Sequence, residues 1–458
     1  MTMDLRPSYP AYRDSGVPWL GEVPEHWKVL PGRACYYEKK EPNTGLKEKT
    51  VLSLSYGQIV IKPEEKLHGL VPASFETYQI VDPGDIIIRP TDLQNDWNSL
   101  RFGLSHHRGI ITSAYMCFHT KGVLDRSYGH LLLHAYDLRK VFYGLGSGLR
   151  QNLDWRDFKY LPCCAPPISE QVAIVRFLNY IDQRIRRSIH AKRKLIELLN
   201  EQKQAIIHQA VTRGLDPNVP MKDSGVEWLG EVPEHWEVSR VKNEFDCLNS
   251  RRVPLSGIER GAMTLRRYDY YGASGVIDKV DGYLFDDELL LIAEDGANLV
   301  LRNLPLAIIA RGKFWVNNHA HILKPKFGNL EYLAAVMEWL NYMPWISGAA
   351  QPKLTQDRLM NIAIAVPPRE EQDRIVGITA KKTSSLSATI NHSKREISLL
   401  REYRTHLIAD VVTGKVDVRH ISLPDESNIE TIFGEDVEPL DNETCALAEV
   451  ECAVEIEE

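Results

Sequence analysis

Long apolar runs are missing from this 458-residue chain. No stretch of about 18 apolar residues is present, so no membrane-spanning helix is expected. The opening residues, MTMDLRPSYPAYRDSG, contain no apolar core of a secretory leader. The seven cysteines form no CxxC pair, and the neighbours Cys163 and Cys164 are poorly placed for a mutual disulfide or a metal cage. They read as reduced thiols of a cytoplasmic protein. Catalytic signatures are absent too. There is no GxxxxGK[ST] phosphate loop, because Gly312-Lys313 and Gly414-Lys415 lack the required glycine and hydroxyl. Gly144, Gly146 and Gly148 are spaced by two and make no GxGxxG. No HExxH motif occurs, and His106-His107 and His319/His321 sit in polar, strand-flanking stretches that suit surface or core histidines better than metal ligands. Pro166-Pro167 and Pro367-Pro368 follow Ala165 and Val366, which cannot polarise an amine as the amino-methyltransferase motif does. The expectation is a chain that performs no chemistry alone, with no catalytic residue, metal or cofactor of its own.

Positive charge is missing from one segment only. Residues 425–458 hold 13 acidic side chains and no Lys, Arg or His. The remainder carries 55 basic against 49 acidic residues. The overall charge of -7 therefore hides a mildly basic body, which is compatible with a nucleic-acid partner. The tail is expected to be disordered and dispensable for sequence choice.

What is present is a repeat, and repetition fixes architecture before anything else. DSGVPWLGEVPEHWKV at Asp14–Val29 returns as DSGVEWLGEVPEHWEV at Asp223–Val238. A looser pair aligns without a gap, Pro166–Asp216 with Pro367–Asp417. The chain is thus two halves in tandem. In each clasp-like copy two tryptophans supply apolar bulk, Trp19 and Trp27 or Trp228 and Trp236, while glycine and proline break regular structure. A packed plug is the favoured reading over acid/base chemistry by Glu25 and His26.

Between the repeats lie two dissimilar segments. The first has strand-like runs at Thr50–Ser55, Gln58–Ile61, Asp85–Ile88, Ile110–Thr112 and Tyr115–His119, then a helical run near Ser127–Val141. The second has strand-like runs at Leu289–Ile292, Leu306–Ala310 and His321–Leu323. Each is followed by a long amphipathic run. Over 168–213, Ile168, Val172, Val175, Leu178, Ile185, Ile189, Ile196, Leu199, Ile206 and Ala210 recur at coiled-coil spacing. Over 370–413, Ile375, Ile378, Leu386, Ile390, Ile397, Leu400, Leu407 and Val411 do the same. Such a helix spans roughly 70 Å and needs a partner. The expected fold class is α+β: two globular α/β-type domains joined by two long antiparallel coiled-coil helices with an internal pseudo-two-fold. The expected divisions are 1–165, 166–217, 218–366, 367–418 and an acidic tail at 419–458. The pseudo-two-fold further predicts that the first copy of the motif packs near Val411–Val418.

The duplicated DSGVxWLGEVPEHW, the PPxxEQxxIV helix starts and the VTxG-type helix ends, with GLRQNL, GAAQPKL and DGAN, closely resemble the specificity subunits of type I restriction–modification systems. The resemblance covers residues from about 8 to 420. It implies two target-recognition domains, each reading one half of a bipartite site in double-stranded DNA, with helices that act as a ruler. It also implies a scaffold for two methyltransferase subunits, joined by two restriction subunits in a larger complex, with SAM, ATP and Mg²⁺ on those partners. Side chains suited to base edges or phosphates then become candidates. In the first half these are Arg89, Gln94, Asn95, Asn98 and Arg101 on one loop, with Ser113 and Tyr115 on the adjacent strand. In the second they are Asn298, Arg302, Arg311, Lys313, Asn317, Asn318 and His319. The basic helix face at Arg184, Arg186, Arg187, Lys192 and Arg193 reads as a solvated flank or partner contact. The competing reading is a protein scaffold that holds two copies of a partner without reading DNA.

Overall fold

The computed structural model describes residues 7–55, 57–63, 74–94, 100–146, 151–348 and 352–424. The acidic tail from Asp425, Asn95 and Asn98, and parts of the GLRQNL and GAAQPKL motifs lie outside the described residues. The chain divides into two compact units. One comprises residues up to Lys192 together with those from Arg395 onward, and the other is Arg193–Lys394. Each unit therefore takes the first half of the long helix that follows its own sheet and the last half of the other long helix.

The long helices run Ile168–Arg213 and Arg369–Val412. Each starts directly after a Pro-Pro pair, where the missing N–H groups cost nothing, and each ends at a glycine in the left-handed region, Gly214 (φ 76°) or Gly414 (φ 79°). Within the first unit the helical segments are antiparallel, since Lys192 pairs with Glu396 at 2.6 Å and Asp182 pairs with Arg404. Along the first helix Leu178, Ile185 and Ile189 are buried as the period requires. Its opening turn departs from the expected seam. Ile168 and Val172 are exposed, while Glu170, Gln171 and Ile174 are buried. Polar residues occupy the inner face there because the neighbouring clasp supplies donors for them.

Both units use the same four-strand order. In the first unit the sheet runs Tyr36–Lys39, Met116–Thr120, Ile86–Ile88, Phe102–Leu104. In the second it runs Phe245–Cys247, Ala320–Pro325, Phe285–Ala293, Ala307–Val316, extended by the hairpin Tyr268–Gly272 and Gly275–Val280. The β-branched triplet Ile86-Ile87-Ile88 is wholly buried, as expected for a strand covered on both faces. Helices Arg126–Leu138 and Leu330–Trp339 follow, capped by Asp125 and Asn329.

The repeated motif forms a small hairpin in each unit, Tyr12–Asp14 with Glu22–Pro24 and Met221–Asp223 with Glu231–Pro233. Trp27 and Trp236 are fully buried, whereas Trp19 and Trp228 lie partly exposed, edge-on to Tyr136 and Trp345. In the first unit Leu20, Val23 and Trp27 share one core with Val411, Val412, Val416 and Val418. In the second, Val232 and Trp236 share one with Ala210 and Val211. Each copy thus closes over the end of a long helix.

The two closures differ in tightness. A methyl group on Gly414 would meet Pro24 Cδ at 2.4 Å and Trp27 at 3.1 Å, whereas on Gly214 its nearest neighbour would be Glu371 Oε1 at 3.4 Å. Both positions strain a non-glycine residue by about 1 kcal/mol or more, and only Gly414 adds overpacking of roughly 1–3 kcal/mol. Gly414→Ala is therefore expected to lower the first thermal unfolding midpoint by more than Gly214→Ala, as read by scanning calorimetry.

Candidate nucleic-acid interface

One carboxylate at the start of a long helix organises each unit, Glu170 buried in the first and Glu371 half-buried in the second. Glu170 accepts hydrogen bonds from Trp27 Nε1 at 2.9 Å and Tyr9 Oη at 2.5 Å, and His26 Nε2 lies 2.9 Å from it. Glu371 accepts from Trp236 Nε1 at 3.2 Å, with His235 Nε2 at 2.7 Å. A negative charge in the first helical turn is also favoured by the helix dipole. The next residue ties the helix to the sheet domain. Gln171 accepts from Asp125 N (2.7 Å) and donates to Val123 O (2.9 Å) and Pro166 O (2.8 Å). Gln372 accepts from Asn329 N (2.8 Å) and donates to Pro367 O (2.9 Å). Two buried tyrosines complete the frame. Tyr128 donates to Cys164 O and Val412 O at 3.2 Å, and Tyr332 reaches Val211 O and Ala365 O at 3.4 Å. The Glu-Gln pair was visible in the sequence as part of a helix start; its role as a joint was not.

On this shared frame the two halves present different loops. Matching contacts establish which positions are equivalent: Leu153 N donates to Pro90 O at 2.8 Å, and Leu354 N donates to Glu294 O at 2.8 Å. The strand-end loops after Ile88 and after Ile292 are therefore counterparts, with Asp92 and Gly296 both at positive φ. The turns at 113–115 and 318–320 are counterparts as well, each leading into the strand that pairs with the Ile86–Ile88 or Phe285–Ala293 strand.

In the first unit these loops border a cleft of about 610 Å³ lined by Lys40, Tyr78, Pro90, Ser113, Tyr115, Trp155 and Arg156 among others. Ser113 is exposed and Tyr115 half-buried at its edge; Gln94 is exposed and Arg89 half-buried on the adjoining loop. Arg101 lies elsewhere. It is fully buried and donates to the carbonyls of Thr91 (2.6 Å), Asp92 (3.2 Å) and Arg89 (3.3 Å). It holds the loop from within, so its place is that of a support and not of an exposed reader.

In the second unit the equivalent place carries an ionic cluster. Glu294 binds Arg252 Nη1 at 2.6 Å and Lys353 Nζ at 3.3 Å. Burial would raise its carboxyl, but the Arg252 bond with His321 and Lys353 nearby outweighs this and holds it below the usual range. His321 is buried, with Nε2 2.7 Å from Leu354 O and Nδ1 2.8 Å from Asn249 Nδ2, and burial lowers its pKa. Asn317 is buried and accepts from His319 N at 2.8 Å, while Asn318 and His319 are exposed on the turn. Asn298 and Arg302 are occupied with folding. Asn298 bridges both backbone groups of Leu304 at 2.9 and 3.0 Å, and Arg302 donates to Leu340 O at 2.6 Å and to Glu338 O. Arg311 pairs with Glu331 at 2.5 Å and Glu288 at 3.5 Å, and Lys313 lies 4.8 Å over the Tyr283 ring. On the basic helix face, Arg186 pairs with Asp182 and Lys192 with Glu396. Among the described residues no cluster of three His, Cys, Asp or Glu side chains is placed to hold a metal ion. No described helix is long and apolar enough to cross a membrane.

Residues 233–398 match the family model for the type I restriction modification DNA specificity domain. A type I restriction enzyme specificity subunit of Methanocaldococcus jannaschii is 22% identical over 430 residues, 87% of this chain and 95% of that protein. Residues 233–398 are thus similar to the DNA specificity domain of type I restriction–modification systems, and the chain resembles their specificity subunits over most of its length. A putative specificity subunit of Haemophilus influenzae is 35% identical over 172 residues, 36% of this chain, and the match spans 40% of that protein's length. A chain solved in a study of complex assembly and conformational transition of the type I restriction–modification system shares the fold, with TM-score 0.60 and 14% identity over 86% of this chain and 99% of that one.

The burial of Arg101 has a consequence for stability. Arg101→Met leaves three carbonyls without their donor, at about 1–3 kcal/mol for an unmet buried partner. The variant is expected to lower the unfolding midpoint of the first unit in a denaturant titration. A variant of unchanged stability and altered DNA preference would instead make Arg101 a reader.

Proposed function

We propose that this chain is the specificity subunit, the DNA-reading component, of a type I restriction–modification complex. Each unit binds one half of a bipartite site. The long helices fix the spacing between half-sites, which a flexible linker could not do, and they dock two methyltransferase subunits. SAM, ATP and Mg²⁺ belong to the methyltransferase and to the two restriction subunits of the full assembly, and the complex works in the cytoplasm. The sites are the strand-end loops and turns: Arg89, Gln94, Ser113 and Tyr115 in the first unit, and Asn318 and His319 with Asn317 beneath them in the second.

One observation carries this reading. Four residues of the frame are repeated in kind, Trp27/Trp236, Glu170/Glu371, Gln171/Gln372 and Tyr128/Tyr332, while equivalent loop positions differ in chemistry. Identical supports suit identical partner subunits, and dissimilar loops suit two different half-sites. Base readout needs side chains on rigid loops, and both loop systems are tied down by backbone hydrogen bonds.

Mapping methylated adenines genome-wide in cells with and without the gene tests the proposal. The expected result is a bipartite motif whose methylation disappears with the gene. Active methyltransferase partners and no gene-dependent bipartite motif would refute it.

A further inference from the structure

His319 stands apart from the other histidine of its cluster. His321 has both ring nitrogens engaged inside the unit and is buried. The His319 ring is 46% exposed, with Nδ1 at 2.9 and 3.0 Å from the two Asp295 carboxylate oxygens. That contact assigns a proton to Nδ1 and turns Nε2 away from the carboxylate. The turn beneath is fixed at both ends: Asn317 Oδ1 accepts from His319 N at 2.8 Å, and His319 O accepts from Glu294 N at 2.9 Å. The Asp295 carboxylate is largely buried at 14% exposure while the His319 ring is not, so the pair holds the ring from the protein side and leaves its far edge toward solvent. The arrangement orients an outward donor.

We propose that His319 is a specificity-determining contact of the second unit, whose imidazolium, aimed by Asp295, donates from Nε2 to an electronegative acceptor on DNA. This rests on the reading that the unit binds DNA. The acceptor is either the N7/O6 edge of a guanine or a phosphate oxygen, which share the chemistry of a hydrogen-bond acceptor at negative potential. The surrounding charges make the proton decisive. Arg252 and Lys353 are balanced by Glu294 and Asp295, and burial disfavours a charge on His321, so protonation of His319 gives this surface a net positive charge. The Asp295 hydrogen bond raises the His319 pKa against the opposing effect of burial, and Asp295 and Glu294 add to the rise while Lys353 subtracts from it. The charged form is thereby brought toward neutral pH.

The test uses the full chain assembled with its methyltransferase subunits. Binding to a duplex bearing the mapped motif and to a scrambled duplex is measured between about pH 5.5 and 8.5 at fixed ionic strength. Affinity for the motif is expected to fall about tenfold as pH rises through the His319 titration. His319→Gln should remove that step without changing the melting temperature, and Asp295→Asn should move its midpoint to lower pH. A motif relaxed at one position of one half-site in the His319→Gln methylation map assigns a base contact. An unchanged motif with uniformly weaker binding assigns a phosphate. If the wild-type complex prefers its motif and His319→Gln reproduces its affinity and pH profile, the proposal is overturned while the DNA-reading function stands. If the wild-type complex shows no preference between the duplexes, both fall together.

Discussion

The rest of the structure depends on a carboxylate that has been taken out of water. Glu170 and Glu371 sit at the first turn of the long helices, and at buried Glu170 an unpaired charge would cost several kcal/mol. Each is satisfied by the indole N–H of the second tryptophan of the repeated motif. That bond fixes the hairpin on the helix start, and the buried indole then covers the end of a helix from the other half of the sequence, at Gly414 or Gly214. Removing the indole would leave a cavity and take one buried donor from the carboxylate. The copies differ only at Pro18/Glu227 and Lys28/Glu237, and the shared residues build the closure: Trp for the bond, Gly and Pro for the turn, Val and Leu for the core.

The architecture was legible where one period or one breaker decides the outcome. Helix spans of 168–213 and 370–413 were readable from spacing and from Pro-Pro and glycine boundaries, and the helices occupy Ile168–Arg213 and Arg369–Val412. Strands such as Ile86–Ile88 and Gln58–Ile61 were readable from β-branched runs. The first helical turn escapes the seam pattern because that pattern assumes apolar residues inside, and Glu170 and Gln171 displace Ile168 and Val172 from that face. The candidate readers separated for a similar reason. Residue type marks Arg101, Asn298 and Arg302 as suited to DNA, but the same donors suit unpaired carbonyls, and the fold uses them there. Ser113 and His319 lie on exposed turns, and only the tertiary structure reveals that the turns are counterparts.

The two units illustrate how one frame accommodates two surfaces. Contacts that build the frame are buried and repeated. The loops are anchored by backbone bonds at equivalent points, Pro90–Leu153 and Glu294–Leu354, so side chains beyond the anchors can change without disturbing the strands. The first unit has an aromatic-edged cleft beside its loops, and the second carries paired charges at Glu294, the counterpart of Pro90. Divergence at that place and constancy below it are what separate recognition from assembly in a single chain.

The central claim is that each unit is completed by the end of the other half's helix. Hydrogen exchange on the Val411→Asp variant tests it most directly, because Val411 is fully buried in the first unit's core. A carboxylate there costs several kcal/mol. The account predicts faster exchange for the amides of Arg126–Leu138 and unchanged protection for those of Leu330–Trp339. Unchanged protection in Arg126–Leu138, or an equal loss in both helices, would contradict it.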